Sequence, residues 1–130
     1  MKKSFLWAPW RMDYISNPKK EKDIFIKKAK SKDDRENLVL YRGNNVFVVM
    51  NLYPYNNGHL MIVPFEKYDD MTDVDDEILF EIISTSKKCM KILTSKFQCQ
   101  GFNFGLNMGK AAGAGIDDHL HFHVVPRWSG

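Results

Sequence analysis

Cysteine and long apolar runs are both scarce in this sequence. Its 130 residues include two cysteines, Cys89 and Cys99, which form no Cys-x-x-Cys pair. Small secreted domains usually depend on several disulfides, so this usage predicts reduced thiols and a cytoplasmic protein. No apolar run approaches the roughly 20 residues that a membrane-spanning helix needs, and no cleavage site follows the short basic start of the chain. We therefore expect a soluble protein with no membrane partner.

A large excess of one charge sign is also lacking. The 19 Lys and Arg residues against 16 Asp and Glu residues give a formal net charge of +3, and the sequence pI is 8.8. A domain that binds nucleic acid more often has a basic stripe and a pI above about 9. We therefore expect no nucleic-acid partner, and we interpret the lysines between Lys19 and Lys32 as a solvated face.

The apolar content is sufficient for one hydrophobic core. Hydrophobic residues make up 44% of the chain, with 9 Phe, 5 Tyr and 3 Trp, which is enough to fold without disulfides or metal. The sequence contains no internal repeat, low-complexity tract or linker. We expect one domain over residues 1–130.

A helix, three strands, a second helix and two strands are predicted along the chain. Asn17-Pro18 starts a lysine-rich helix that runs to about residue 30. Strands are predicted over residues 38–42, 45–50, 59–63, 102–108 and 119–126, with Gly43-Asn44 as a hairpin turn. Thr72 and Asp75 suggest a capping box at the start of the second helix, whose apolar residues recur at helical spacing from Ile78 to Phe97. This order predicts an α+β fold with a mostly antiparallel sheet of about five strands and two helices.

Three histidines alternate with apolar residues near the end of the chain. In a strand, His119, His121 and His123 share one face, while Leu120, Phe122 and Val124 share the other. Core packing does not explain three imidazoles in a row, because each buried imidazole needs a hydrogen-bond partner. One interpretation is a metal site, which His59 completes if the fold places it alongside. The flanking segments supply no matching carboxylate or thiolate on the strand, so this interpretation is the weaker one.

Phosphorus chemistry is the interpretation that the pattern favours. A neutral imidazole is a competent nucleophile at neutral pH, and its attack on phosphorus splits one difficult displacement into two easier ones. The glycine-rich loop over residues 109–118 precedes the histidines. Gly113 and Gly115 allow backbone N–H groups to converge on an anion there. A glycine-rich loop is more often a tight connection, so the loop and the histidines carry the hypothesis only together.

These residues resemble the histidine-triad superfamily. His119-Leu120-His121-Phe122-His123-Val124-Val125 fits its His-φ-His-φ-His-φ-φ motif, where φ is apolar. Asn51, eight positions before the His of Gly58-His59 and followed by a strand and Pro64, resembles the upstream signature of the superfamily. The opening 6–12 and the run 112–115 are similar to a bacterial branch that includes dinucleoside polyphosphate (Ap4A) hydrolases and phosphorylases.

The resemblance implies a role for each matching residue. His121 corresponds to the nucleophile that forms a covalent nucleotidyl-histidine intermediate, His119 and His59 to residues that orient it through hydrogen bonds, and His123 to the residue that contacts the phosphate oxygens and the scissile bridge. By the same resemblance Asn51 binds the ribose, Asn107 and the backbone of Gly113 and Gly115 hold phosphate, and Phe25 lies near the base.

The resemblance also implies partners and leaves alternatives open. The implied substrate is an adenine dinucleoside polyphosphate or a nucleoside phosphoramidate, with water or phosphate as acceptor. A homodimer is implied, formed through the last helix and the adjacent strand. A non-catalytic nucleotide-binding protein remains an alternative. Many relatives carry a Cys-x-x-Cys zinc site and a further histidine where this chain has 23–26 and 66–68, so we expect no metal and no cofactor. The tail that follows 126–128 in the family is expected to be absent.

Overall fold

A computed structural model describes residues 23–51, 58–114 and 119–129. Its two helices are α1 (Ile24–Lys30) and α2 (Asp76–Phe97), and its five strands are β1 (Val39–Arg42), β2 (Val46–Met50), β3 (Leu60–Pro64), β4 (Gly101–Leu106) and β5 (Phe122–Arg127). The predicted α+β class and element order are confirmed. The part of the first predicted helix before residue 23 lies outside the described residues.

The five strands form one sheet in the order β1-β2-β3-β5-β4, and every neighbouring pair is antiparallel. The predicted hairpin joins β1 to β2, and the N–H of Gly43 donates to the carbonyl of Val46 at 2.7 Å. β1 and β4 are the edge strands. The three central strands are therefore β2, β3 and β5.

Each face of the sheet carries its own hydrophobic core. Helix α2 covers one face with a stripe of buried residues that includes Ile82, Cys89 and Leu93. Both cysteines are free and buried, as predicted, and burial raises the pKa of the Cys89 thiol. Phe25 of α1 packs on the opposite face, which carries Val39, Phe47, Val49, Met61 and Val63. Neither helix in the described residues has the length and apolar character to cross a membrane.

Arg42, at the end of β1, connects α1 to the sheet through hydrogen bonds. Its guanidinium donates to the carboxylate of Asp34 at 2.7 Å and to the carbonyls of Lys28, Ala29 and Ser31 at 3.1, 2.7 and 3.0 Å. These carbonyls lie at the end of α1, where no intrahelical donor remains. One side chain therefore positions the helix that brings Phe25 onto the sheet.

The capping box predicted at Thr72 and Asp75 is wrong. Thr72 lies in a short 3-10 turn, Met71–Asp73, where its N–H donates to the side chain of Asp70 at 2.9 Å. Asp75 precedes α2 but makes no side-chain capping bond. Val74 explains the separation, because it is extended and buried between the turn and the helix.

Candidate active site

The fold brings the four histidines together on the face of the sheet that carries Phe25. The ring of His123 lies 4.8 Å from that of His121 and 5.1 Å from that of His59, measured between centroids. The ring of Phe25 lies 5.4 Å from His119 and 5.0 Å from His121. The histidines therefore form one cluster, which is backed by a buried aromatic ring.

The histidine strand begins three residues later than predicted. β5 pairs with β3 up to Ile62 and Phe122, so the next partner across from Leu120 would be Pro64. Proline has no N–H to donate, and the ladder stops there. The carbonyl of Pro64 instead lies 2.9 Å from Nε2 of His119, and Leu120 donates its N–H to the carbonyl of Tyr68. His119 and His121 are thus held by individual hydrogen bonds outside the strand.

His121 is held as a neutral imidazole with one defined tautomer. Its Nδ1 lies 2.9 Å from the backbone carbonyl of His119. A carbonyl only accepts, so Nδ1 carries the hydrogen and Nε2 keeps its lone pair. Burial lowers the pKa of His121, the bond to the His119 carbonyl partly offsets this by raising it, and the charge of His119 lowers it further. A neutral ring with a free Nε2 lone pair is the form in which histidine acts as a nucleophile.

His119 and His59 form hydrogen bonds with different parts of the cluster. His119 holds His121 through its backbone carbonyl, while its own imidazole bonds to Pro64. Nε2 of His59 lies 2.9 Å from Nδ1 of His123. His59 is thus linked to the last histidine of the triad, and the main-chain carbonyl of His119 bonds to His121.

Asn51 bonds to His59, a link that the sequence interpretation missed. Its side-chain nitrogen lies 3.0 Å from Nδ1 of His59, and its backbone N–H donates to the carbonyl of His59. Asn51 is expected to bind ribose by resemblance alone. The eight-residue spacing between Asn51 and His59 did not indicate this contact. The two residues meet because β2 and β3 pair as antiparallel neighbours.

A cavity of about 180 Å³ opens beside His119 and His121. Asn107, one of the expected phosphate-binding residues, lines it together with Asp69 and Gly109. Asp69 was not predicted, and its place in a polar loop gives no sequence signal. The cavity therefore places an amide side chain and backbone groups beside the imidazole of His121.

The glycine-rich loop contributes differently from the expectation. Gly109, which was not singled out, lines the cavity with a positive φ of 86°. The N–H of Gly113 donates to the carbonyl of Lys110 at 3.0 Å, so it closes a turn. Gly115 lies outside the described residues. Ala114, next to Gly113, also lines the cavity, so both ends of the described part of the loop reach it.

Phe25, which the resemblance places near the base, packs against the histidines. It is 1% exposed, and its ring contacts the imidazoles of His119 and His121. Phe25 therefore supports the histidine cluster directly. Within the described ranges, no three His, Cys, Asp or Glu side chains are grouped closely enough to hold a metal ion.

Comparison with known proteins identifies the family. A sequence model of the HIT domain matches residues 32–130, and the chain belongs to the histidine-triad (HIT) family. A Mycobacterium tuberculosis protein named AP-4-A phosphorylase is 38% identical over 133 residues, covering 96% of this chain and 68% of its own length. The Schizosaccharomyces pombe bis(5'-nucleosyl)-tetraphosphatase (asymmetrical) is 26% identical, covering 68% of this chain and 48% of its own length.

Solved structures agree with this family. A zinc-bound histidine-triad family protein from Mycobacterium smegmatis superimposes with a TM-score of 0.72 at 25% identity, covering 82% of this chain and 76% of that one. A HIT family protein from Bacillus anthracis has the same TM-score and identity, covering 82% of this chain and 73% of its own. The fold of this chain is therefore that of the HIT family.

Proposed function

We propose that the protein is an enzyme that transfers a nucleoside monophosphate to Nε2 of His121. The observation that carries the proposal is the hydrogen bond from His121 Nδ1 to the His119 carbonyl, which leaves Nε2 as a nucleophile. The relatives named as an Ap4A phosphorylase and a tetraphosphatase support a nucleotide hydrolase or transferase. We propose an adenine dinucleoside polyphosphate as the substrate.

The proposed reaction has two displacements at one phosphorus. Nε2 of His121 attacks the phosphorus next to the adenosine, and the P–O bond to the departing nucleotide breaks with its electron pair on oxygen. The nucleotidyl group then moves from His121 to an acceptor, and the imidazole returns to its neutral form. The 38% identity to a protein named as a phosphorylase favours phosphate over water as that acceptor.

The cavity residues are proposed to bind the substrate. Asn107 and Gly109 lie beside His121 and supply amide and backbone donors for phosphate oxygens. His123 is proposed to contact the bridging oxygen, since its ring lies next to that of His121. Asn51 is proposed to contact the ribose in addition to its bond with His59.

We propose that a second copy of the chain pairs along β4, forming a homodimer in the cytoplasm. β4 is an edge strand, with Phe104 39% exposed on it, and Phe97 at the end of α2 is 50% exposed. An edge strand with exposed apolar groups readily pairs with another strand. Size-exclusion chromatography with light scattering is expected to give twice the mass of the chain for the wild type. The same measurement on Phe104→Lys is expected to give the mass of a monomer.

The decisive experiment is turnover of diadenosine tetraphosphate (Ap4A) with and without inorganic phosphate. We expect ADP and ATP only when phosphate is present. ATP and AMP without phosphate would identify a hydrolase instead. We expect mass spectrometry of the wild type, quenched in alkali because the P–N bond to histidine is labile in acid, to detect an AMP adduct on the protein.

The matched variant is His121→Ala. It is expected to lose the adduct and to reduce turnover by roughly 10⁴-fold or more, as when a covalent nucleophile is removed. Nucleotide affinity, measured by calorimetry, is expected to stay close to the wild-type value, and this also shows that the variant folds. If the wild type turns over neither Ap4A nor adenosine 5'-phosphoramidate, the catalytic proposal is wrong and the protein is a nucleotide-binding module.

A further inference from the structure

We propose that a second cavity, lined by Lys67, Tyr68, Asp69 and Asp73, binds the nucleoside of the departing half of the substrate. This Tyr68 cavity has a volume of about 250 Å³, and it shares Asp69 with the cavity that opens beside His121. The proposal rests on the proposed function, because it concerns a substrate with a nucleoside at each end.

The cavity beside His121 is too small for a whole dinucleoside polyphosphate. Its volume is about 180 Å³, whereas pockets that enclose drug-sized ligands usually have about 300–1,000 Å³. A substrate with two nucleosides and four phosphates therefore extends beyond it. The Tyr68 cavity adjoins it at Asp69, so a polyphosphate chain that leaves the first cavity there brings its second nucleoside to the other.

The Tyr68 cavity lies at the opposite end of the triad from Asn51. Asn51 is linked through two hydrogen bonds to His123, the last histidine of the triad. The cavity that adjoins the Tyr68 cavity is lined by the first two histidines instead. One substrate can therefore place a nucleoside at each end of the triad, with the reacting phosphorus at His121 between them.

Two hydrogen bonds hold Tyr68 beside the triad. Its carbonyl accepts the N–H of Leu120 at 2.8 Å, and Leu120 lies between His119 and His121 in the sequence. The phenol of Tyr68 donates to the carboxylate of Glu66 at 3.1 Å, and the residue is half-buried. The ring is thus positioned before a ligand binds, which lowers the entropy cost of packing a base against it.

The charges of the Tyr68 cavity favour a nucleoside over phosphates. Asp69 and Asp73 supply two carboxylates. The ammonium of Lys67 is paired with a third, that of Asp23, at 2.8 Å. Carboxylates repel phosphate, but they accept hydrogen bonds from neutral O–H and N–H groups, as an acidic residue does from a ribose hydroxyl.

A nucleoside has the groups that this cavity recognises. Its ribose hydroxyls and the amino group of adenine donate hydrogen bonds, and its planar base packs on an aromatic ring. Asp69, at the wall that the two cavities share, therefore marks where the phosphates end and the second nucleoside begins.

The test compares Ap4A with adenosine 5'-tetraphosphate, which has the same AMP group and four phosphates but no second nucleoside. The wild type is expected to have a kcat/KM for Ap4A about tenfold or more above that for the tetraphosphate, the size of one contact between a base and an aromatic ring. Tyr68→Ala is expected to remove most of this preference. Asp73→Ala is expected to reduce it by about threefold or more, as for one lost hydrogen bond.

Two matched variants control for the loss of a ring and of a charge. Tyr41→Ala removes a ring that is 46% exposed on β1, and Asp76→Ala removes an exposed carboxylate in the first turn of α2. Both are expected to keep the wild-type ratio. A wild-type ratio within about twofold of one would overturn the proposal, as would a Tyr68→Ala ratio within about twofold of the wild type.

Calorimetry on His121→Ala tests the site without turnover. This variant is expected to bind Ap4A about tenfold or more tighter than adenosine 5'-tetraphosphate, and adding Tyr68→Ala is expected to make the two affinities similar. If the wild type turns over neither substrate but this difference in affinity depends on Tyr68, the proposed function is wrong and the nucleoside site stands. Turnover of Ap4A together with equal affinities in His121→Ala would overturn this inference alone.

Discussion

The carboxylate of Glu81, in the second turn of α2, caps the hairpin turn that follows Gly43. It accepts the backbone N–H groups of Asn44 and Asn45 at 2.9 and 3.1 Å, and the side chain of Asn45 at 3.0 Å. A Cβ atom on Gly43 would collide with this carboxylate. Because Gly43 has no side chain, Glu81 of α2 can approach the β1–β2 turn closely enough to form these hydrogen bonds.

Gly43→Ala is therefore expected to destabilise the fold. The new methyl group must displace the Glu81 carboxylate from two backbone donors, and overpacking of this kind costs about 1–3 kcal/mol. Urea unfolding measures the loss. Gly101→Ala is the control, because nothing lies within 4 Å of its added Cβ, and Glu81→Ala in the Gly43→Ala background is expected to remove part of the collision. Equal stability of the two glycine variants would contradict this account.

Phe25→Leu is expected to lower kcat while leaving KM within about twofold of the wild type. The ring is 1% exposed and packs against His119 and His121, so a smaller side chain loosens the histidines. A small misplacement of reacting groups reduces the rate by about tenfold to a hundredfold.

Steady-state kinetics on Ap4A measures both constants. Phe80→Leu, at a position 74% exposed on α2, is the matched control and is expected to change neither. A rise in KM with unchanged kcat in Phe25→Leu would instead place the ring in contact with the base.

Local patterns predicted the elements, and long-range contacts decided the site. The strands over 45–50 and 59–63 were predictable because each is a continuous apolar run bounded by turn residues. The apolar spacing of α2 was also readable, although Ile83 and Phe97 are about half exposed, because periodicity does not show how wide a stripe the sheet covers.

The parts of the site that the sequence missed all depend on neighbours distant along the chain. The start of β5 is set by Pro64 across the sheet, which no pattern around His119 indicates. The bond between Asn51 and His59 depends on the register of β2 and β3. Asp69 and Gly109 meet at one cavity only after the loop behind β3 folds beside the end of β4.

The pH dependence of catalysis is expected to follow the lowered pKa of His121. Burial is the main cause of the shift from the ordinary value of about 6.5, and the neutral form is the proposed nucleophile. The rate is therefore expected to stay constant as pH falls to about 6.5 and to decline only below it. The same sign holds for stability: below about pH 6.5 the unfolded chain binds a proton that folded His121 does not, so stability falls as pH decreases towards the lowered pKa.

An NMR titration of the histidine ring signals measures this pKa directly, and comparison with His121→Asn assigns the signal of His121. The midpoint is then compared with that of the pH profile of kcat/KM for Ap4A. Both midpoints are expected to lie below 6.5. Because His121→Asn removes the titrating group, its unfolding free energy is expected to fall less than that of the wild type between pH 6.5 and 5. A His121 midpoint at or above 6.5 would mean that the ring is more hydrated or more strongly paired than its burial implies, and it would contradict this prediction.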